Sequence, residues 1–207
     1  MKVLDINISR QLFSPRELYE GNSVSFSPNG HYIAVASGST VKVYDMATGN
    51  ELTSLKHEDT VWSITFSPNS RYIATASADT VWVWDFIADH KIAHFNHKDV
   101  VWSITFSPEG SHLATASWDC TASVWEVMSG REIACFTHEA SVIAVAFSPD
   151  GKYLATGSDD HTAQLWLWRP NDIIKEVCSR LTRNLTLEEW QQYLEDEPYH
   201  KTCPNLP

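Results

Sequence analysis

The sequence is poor in basic residues and has no long apolar run. It contains 15 Lys and Arg residues against 26 Asp and Glu residues, so its formal net charge at pH 7 is −11. Such a surface repels phosphate backbones and anionic lipids, which disfavours a nucleic-acid partner or a membrane partner. No apolar stretch approaches the roughly 18 residues of a transmembrane helix. Asp5 and Asn7 interrupt the opening segment where a secretory signal needs an apolar core, so we expect a cytoplasmic protein.

Cysteine is also scarce, and its spacing fits no metal site. The sequence has no C-x-x-C pair and no arrangement typical of zinc ligands, so we expect no metal and no other cofactor. In a cytoplasmic protein we expect the thiols to be reduced. The four cysteines are Cys120, Cys135, Cys178 and Cys203.

The most informative feature that the sequence does contain is a repeat. Phe-Ser-Pro begins at residues 26, 66, 106 and 147, in steps of 40, 40 and 41 residues. A turn pair such as Asn29-Gly30 follows each Pro, and strands with alternating apolar residues flank it. This pattern predicts a hairpin, because Pro presets φ whereas Gly and Asn accept positive φ. Two further strands follow in each period, so every repeat is predicted to be a four-stranded antiparallel meander.

Such a sheet, apolar on both faces, is not stable alone, so the repeats are expected to stack on one another. The third strands end in the pairs Tyr44-Asp45, Trp84-Asp85, Trp125-Glu126 and Trp166-Leu167. Together with the common period, these pairs resemble the WD40 repeat family, which forms β-propellers. The resemblance covers residues 1–169 and implies an all-β fold of four WD40 blades. Residues 170–207 are expected to form a short helical tail.

A His precedes an Asp by 22 residues in three of the repeats. In WD40 blades, such residues join a Ser or Thr and a Trp in a buried hydrogen-bonded tetrad. The resemblance implies three structural tetrads, made by His57, Thr75, Asp79 and Trp84, by His97, Thr115, Asp119 and Trp125, and by His138, Thr156, Asp160 and Trp166. Because catalysis needs one site whereas a stabilising device recurs in each blade, we do not interpret these residues as hydrolytic triads.

The first repeat departs from this pattern, so we expect its blade to be the least stable. It has Glu17 in place of the His, Val35 in place of the Thr, and Tyr44 in place of the Trp. The first two repeats are also one residue shorter between the second and third strands, which predicts a tighter turn there.

The family resemblance also places a binding surface at one end of the blades. In WD40 proteins this surface consists of residues beside the first strand of each blade and of the residue before the tetrad Asp. Exposed indoles are typical binding anchors, so we expect a protein or peptide to dock here; alternatively, Trp62 and Trp102 pack on adjacent blades. The corresponding residues are Glu20, Asn22, Thr60, Trp62, Ala78, Val100, Trp102, Trp118, Ala140, Ile143 and Asp159.

The two ends of the repeat region look like complementary parts of one blade. Residues 1–5 align with residues 41–45, so they are expected to lead into a fourth strand, whereas no fourth strand follows Trp168. Three arrangements are compatible with this pattern. Two chains pair head to tail into an eight-bladed ring, the blades form an open arc or part of a longer array, or they close into a distorted four-bladed ring.

The period changes after Pro170, which predicts helices. Asp172 is expected to cap the first helix, and Thr186 with Glu189 forms a capping box for the second. The first helix would carry Ile173, Ile174, Val177, Cys178 and Leu181 on one face, and the second Leu187, Trp190 and Leu194. This tail resembles one that follows WD40 arrays at the C-termini of bacterial signalling proteins. It would cover an exposed propeller edge or dock a partner.

These features favour a non-catalytic scaffold for protein–protein interaction, a fragment or subunit of a bacterial signalling assembly. The alternatives are a propeller hydrolase and a small-molecule sensor, both of which would use the central channel. The sequence lacks a G-x-S-x-G motif, and its first strands place Ser, Thr, Ile and Trp near the axis rather than carboxylates. We therefore do not expect an enzyme.

Overall fold

The computed structural model describes residues 3–5, 10–13, 21–194, 198, 200–204 and 206. The chain divides into two compact units, Met1–Trp166 and Leu167–Pro207, a few residues before the boundary at 169 that the sequence predicts. In the part of the chain that the structure describes, the first unit is all-β and the second contains two helices. Among the described residues, neither helix has the length and apolar character needed to cross a membrane.

The described strands of the first unit form four antiparallel blades and one two-stranded sheet. The two-stranded sheet pairs β1 (Val3–Asp5) with β2 (Arg10–Phe13). Blade one contains β3 (Gly21–Phe26), β4 (Tyr32–Ser37), β5 (Thr40–Asp45) and β6 (Glu51–Lys56). Blade two contains β7 (Val61–Phe66), β8 (Tyr72–Ser77), β9 (Thr80–Asp85) and β10 (His90–Asn96). Blade three contains β11 (Val101–Phe106), β12 (His112–Ser117), β13 (Thr121–Glu126) and β14 (Glu132–Thr137), and blade four contains β15 (Val142–Phe147), β16 (Tyr153–Ser158) and β17 (Ala163–Leu167).

The repeated Phe-Ser-Pro motif forms the turn between the first two strands of each blade. In blade two, the Ser67 hydroxyl donates a hydrogen bond to Asn69 Oδ1 (2.6 Å) and accepts one from the amide of Tyr72 (2.8 Å). Ser70 completes this turn with φ 58°, where the other blades have Gly. The side chains of the motif thus fix the hairpin, and the predicted meander is confirmed.

Adjacent blades pack face to face through apolar side chains. One core lies between blades one and two, and the next lies between blades two and three. In the second core, small residues such as Ala74 and Val83 of blade two pack with Ile104 and Phe106 of blade three, all of them buried. The strands β3, β7, β11 and β15 lie side by side in this order. The four blades therefore share a continuous interior, as stacked repeats require.

Blades one and four leave apolar faces open. Phe26 of blade one is 57% exposed, whereas Phe66 at the same position of blade two is 5% exposed. Leu165 of blade four is 66% exposed, whereas its counterpart Val124 in blade three is 0% exposed. β15 also does not pack on β3 as neighbouring blades pack on each other. The distorted four-bladed ring is therefore wrong, and the four blades form an open arc.

Completion of blade four by the N-terminal strand, which a closed four-bladed ring would need, is also not observed. β2 pairs with β1 in a separate sheet, and among the described strands the sheet of blade four contains only β15, β16 and β17. Glu17 and Glu20, which the sequence analysis placed in blade one, lie outside the described residues.

The helical unit contains α1 (Pro170–Arg180) and α2 (Leu187–Leu194). Arg169, rather than Asp172, is the N-cap of α1, because Pro170 suits the first helical position and Asp172 falls in the first turn. The capping box of α2 is confirmed: the Glu189 amide donates to Thr186 Oγ1 (3.2 Å), and the Thr186 amide donates to Glu189 Oε2 (2.9 Å). α1 has no buried residue, so its predicted apolar face stays exposed.

A disulfide joins α1 to the C-terminal segment. Cys178 and Cys203 are bonded across a sequence separation of 25 residues. Asn184 reinforces this link, because its amide group donates to Cys203 O (2.9 Å) and accepts from the Cys203 amide (2.9 Å). The expectation of four reduced thiols is wrong for this pair, since folding brings together two cysteines that are distant in sequence. Cys120 and Cys135 are free.

Candidate functional site

A β-bulge begins the first strand of all four blades, and in blades two, three and four its extra residue is large and apolar. In blade two, Val61 pairs with Ser77 and Ser63 pairs with Ala76, which leaves Trp62 as the extra residue. The same register shift leaves Trp102 unpaired in blade three and Ile143 unpaired in blade four. A bulge redirects the side chain of its extra residue and is frequent beside functional sites. This geometry turns large apolar side chains toward the end of the blades.

The three tryptophans of the predicted binding surface form a stack, here called the Trp stack (Trp62, Trp102 and Trp118). The ring centroids of Trp62 and Trp102 are 5.2 Å apart with an interplanar angle of 22°. Those of Trp102 and Trp118 are 5.4 Å apart with an angle of 13°. The exposed fractions of the three residues, in chain order, are 38%, 38% and 43%. Packing across two blades and exposure to solvent, which the sequence analysis treated as alternatives, therefore occur together.

Hydrogen bonds hold the loops around the Trp stack. The Trp118 amide donates to Val100 O (2.9 Å) in blade three, and the Asp159 amide donates to Ser141 O (2.9 Å) in blade four. Thr60 and Val100 are half-buried, while Ile143 and Asp159 are exposed. The side chain of Asn22 is outside the described part of the structure. Apart from that residue and Glu20, the predicted surface residues lie in the loops and strand ends at one end of the blades.

Three serines that the sequence analysis did not single out also fix this end. Ser77, Ser117 and Ser158 end the second strand of their blades and are buried. Their hydroxyls donate to the loop before the first strand, at Asp59 O (2.7 Å), Asp99 O (3.0 Å) and Ala140 O (3.1 Å), respectively. Their recurrence at the repeat period was the signal in the sequence that could have identified them.

Blade three contains a continuous hydrogen-bonded chain. Trp125 Nε1 donates to Thr115 Oγ1 (2.9 Å), which lies 2.7 Å from His97 Nε2. His97 Nδ1 lies 2.9 Å from Asp119 Oδ2. A neutral His with its proton on Nδ1 satisfies every contact, because Thr115 then donates to Nε2 and Nδ1 donates to the carboxylate.

Blade four repeats this chain with similar distances. Trp166 Nε1 donates to Thr156 Oγ1 (2.8 Å), and Thr156 Oγ1 lies 2.8 Å from His138 Nε2. His138 Nδ1 lies 3.2 Å from Asp160 Oδ2. In both blades the Thr is at most 2% exposed. A buried hydroxyl that already binds two partners has no access to substrate, so the chain is suited to holding the loops rather than to nucleophilic chemistry.

The Asp of each chain is held as an anion. Burial acts to raise the pKa of Asp119, but hydrogen bonds from Thr121 Oγ1, the Lys98 amide and His97 outweigh it and lower the pKa to about 2. The hydrogen bond from Thr162 Oγ1 is the main cause that lowers the pKa of Asp160. Both carboxylates are therefore charged near neutral pH.

Blade two does not form the predicted tetrad. Trp84 Nε1 donates to Thr75 Oγ1 (3.1 Å), but neither ring nitrogen of His57 has a hydrogen-bond partner among the described residues. Asp79 is exposed, and its carboxylate accepts a hydrogen bond from Thr80 Oγ1 (3.0 Å) instead. The prediction of a tetrad formed by His57, Thr75, Asp79 and Trp84 is wrong. Burial lowers the pKa of the unpaired His57 to about 4, with a smaller contribution from the charge of Lys91.

The length of one turn explains the difference. Two residues, Ala78 and Asp79, connect β8 to β9, whereas residues 118–120 connect β12 to β13. Ala78 has φ 48° in the short turn, and Cys120 has φ 70° at the end of the long one. Without the third residue, the Asp79 carboxylate is not directed at His57. A cavity of about 400 Å³ beside His57 occupies this region.

Four antiparallel blades with bulged first strands and Trp–Thr–His–Asp chains define a propeller of the WD40 type. Residues 20–191 match the family described as IFT122 first beta-propeller, and the chain belongs to this family. It matches none of the curated proteins with which it was compared.

Proposed function

We propose that the chain is a non-catalytic scaffold that binds a protein or peptide through the Trp stack. The observation that carries this proposal is the stack of three indoles, each more than a third exposed, two of them at strand bulges and one in a turn. Exposed indole area is unfavourable in water, and tryptophan is among the residues that contribute most at protein interfaces. Because the rings already stack on each other, little side-chain entropy remains to be lost on binding.

The test is affinity purification from the native cell followed by mass spectrometry. The bait is the wild-type chain, Trp102→Ala or Trp118→Ala, with Trp82→Ala as the matched control, because Trp82 lies outside the Trp stack. We expect partners that bind the wild type and Trp82→Ala but are lost with the other two variants. If all partners remain bound to Trp102→Ala and Trp118→Ala, the assignment of this face is wrong.

The two alternative functions have less support from the described residues. The hydroxyls of the His–Asp chains are buried, and no group of His, Cys, Asp and Glu residues in the described part of the chain is arranged to hold a metal. A hydrolase screen that finds activity, abolished by one carboxylate substitution, would replace the scaffold proposal. Membership of a bacterial signalling assembly stays a prediction from the resemblance. Cytoplasmic location also stays a prediction, and the Cys178–Cys203 disulfide is an observation against it.

We also propose that a second copy covers the open faces of the arc. The open face of blade four, which includes Leu165, corresponds to the apolar faces that pack on Phe66 and Phe106 inside the arc, and blade one presents Phe26 at the matching position. Blade four of one copy would therefore receive blade one of another, and two copies would close an eight-bladed ring.

Light scattering after size-exclusion chromatography tests this pairing. We expect a dimer for the wild type and for Ile87→Glu, a control at a residue that is 61% exposed on another surface. Leu165→Glu and Phe26→Glu should give monomers, because a charge in the new interface has no partner. A monomeric wild type at high protein concentration would contradict the pairing.

A further inference from the structure

We propose that the segment bound by the Trp stack is cationic and that its arginine side chains lie against the indoles. This inference rests on the proposed function, since it specifies the chemistry of the partner at the same surface. It arises from the distribution of charge between the two ends of the blades.

The end that carries the Trp stack is strongly acidic. Its described loops contain eight carboxylates and one lysine, Lys98. At the opposite end, the turns between first and second strands and between third and fourth strands contain three acidic and three basic residues. With the strand ends included, each end has eight carboxylates, against two basic residues at the Trp end and four at the opposite end. The excess of negative charge is therefore larger at the Trp end. The loops at the acidic end are residues 38–39, 57–60, 78–79, 97–100, 118–120, 138–141 and 159–162.

The acidic residues are adjacent to the indoles. Asp59 and Asp99 each precede an indole of the Trp stack by three residues, and the Ser117 hydroxyl fixes the backbone at Asp99. Asp119 directly follows Trp118. In blade four, Asp159 takes the turn position that Trp118 takes in blade three, as their equivalent backbone hydrogen bonds show. Exposed carboxylates therefore lie within three residues of both Trp62 and Trp102, at the same end of the blades.

Most of these carboxylates form no direct ion pair among the described residues, although Lys56 and Lys91 line one cavity with Glu58, Asp59 and Asp79. Glu58, Asp59, Asp79, Glu139 and Asp159 are exposed and take part in no ion pair among the described residues. No described cation–π contact involves an indole of the Trp stack. Lys91 instead lies over Trp82 and Trp84. The indoles thus have no internal cation, although the surrounding charge favours one.

Arginine fits this surface better than other side chains. Its planar guanidinium stacks on aromatic rings and forms paired hydrogen bonds with carboxylates, both of which are present here. The acidic field also attracts a basic segment from a distance, so binding should weaken as salt is added. An acidic or uncharged segment would gain from the indoles but not from the carboxylates.

Selection from a phage library of random peptides tests the proposal. The full chain is the target, and Trp102→Ala is the counter-target. We expect the peptides that depend on Trp102 to be enriched in arginine. In a synthetic copy of a selected peptide, citrulline in place of one arginine keeps the planar shape and removes the charge. We expect this change to weaken binding about two- to fivefold, measured by tryptophan fluorescence.

A pair of charge variants gives the matched control. Glu58→Gln with Glu139→Gln removes two charges at the Trp end, whereas Glu109→Gln with Asp89→Asn removes two charges at the opposite end of the blades. Only the first pair of substitutions should weaken binding of the selected peptide, by about threefold at low salt.

Each outcome of the selection decides a separate point. Trp102-dependent peptides without basic residues would overturn the cationic partner but leave the docking surface intact. Equal binding of the arginine and citrulline peptides would also overturn it. A selection that yields no Trp102-dependent peptide would contradict the proposed function itself.

Discussion

His57 and His97 occupy the same position in consecutive blades, and the same substitution should have opposite effects at the two sites. His97 binds Thr115 and Asp119, whereas neither ring nitrogen of His57 has a described partner. Both imidazoles meet a tryptophan edge to face, at 5.7 Å from Trp84 and 5.8 Å from Trp125. Phenylalanine preserves this aromatic contact, so the substitution isolates the role of the ring nitrogens.

The expected changes in unfolding free energy follow from the hydrogen bonds that each substitution removes. His97→Phe removes one charge-assisted and one neutral hydrogen bond, which costs about 2–4 kcal/mol of unfolding free energy. His57→Phe removes a buried polar group without a partner, which should stabilise the fold by about 1 kcal/mol. The two variants should therefore differ by about 3–5 kcal/mol. In a protein of this size, the difference corresponds to about 6–20 °C in melting temperature.

Urea unfolding followed by circular dichroism measures both free energies, and calorimetry gives the melting temperatures. The wild type should lie between the two variants. Equal destabilisation by both substitutions would refute the reasoning, because it would mean that His57 contributes hydrogen bonds comparable to those of His97.

Three further predictions concern the same network, the effect of pH and the helical unit. Asp119→Ala should lower the melting temperature by several degrees, whereas Asp79→Ala should leave it nearly unchanged, because Asp119, unlike Asp79, bonds to a His. Equal shifts in a thermal melt would contradict the corrected assignment of blade two. Acidification should destabilise the fold in two steps. The pKa of His57 is lowered from 6.5 to about 4. Its neutral form therefore contributes to the free energy of unfolding above pH 6.5, and this contribution is lost as the pH falls toward 4. The pKa of Asp119 is lowered from 3.8 to about 2, so its contribution is lost from about pH 4 toward pH 2. In urea titrations, His57→Phe should remove the first step alone, and an unchanged first step would exclude His57 as its cause. Cys178→Ser should destabilise the helical unit by about 3 kcal/mol, because the disulfide closes a loop of 25 residues; hydrogen exchange of the α2 amides measures this loss, and unchanged protection would contradict it.

The repeat period was sufficient to predict the blades, because each Phe-Ser-Pro turn is fixed by side chains within a few residues. Ser67, Asn69 and Tyr72 form that turn without distant partners. The Trp stack was only partly predictable. The positions of Trp62 and Trp102 followed from the resemblance, but their stacking depends on the bulges and on the approach of two blades.

The errors arise where a count along the chain does not determine geometry. The spacing of 22 residues from His57 to Asp79 equals that in blades three and four, yet Asp79 is one residue closer to its Trp than Asp119 is. Counting back from the Trp would have shown the missing residue. The disulfide could not be predicted because cysteine spacing does not specify which pairs meet. Ring closure could not be predicted because it depends on the angle between blades.

The turn between the second and third strands of blades three and four links stability to recognition. In blade three, the first residue of the turn, Trp118, lies at the acidic end and the second, Asp119, joins the buried chain. In blade four, Asp159 and Asp160 occupy the same two positions. Blade two lacks one residue at this turn and has neither an aromatic residue there nor a complete tetrad. Inserting one residue before Asp79 would therefore give blade two the longer turn. Asp79 could then bond to His57, and the inserted residue would take the position of Trp118 on the binding surface. In repeat proteins built this way, a blade can gain a more stable fold and a larger binding surface through the same mutation.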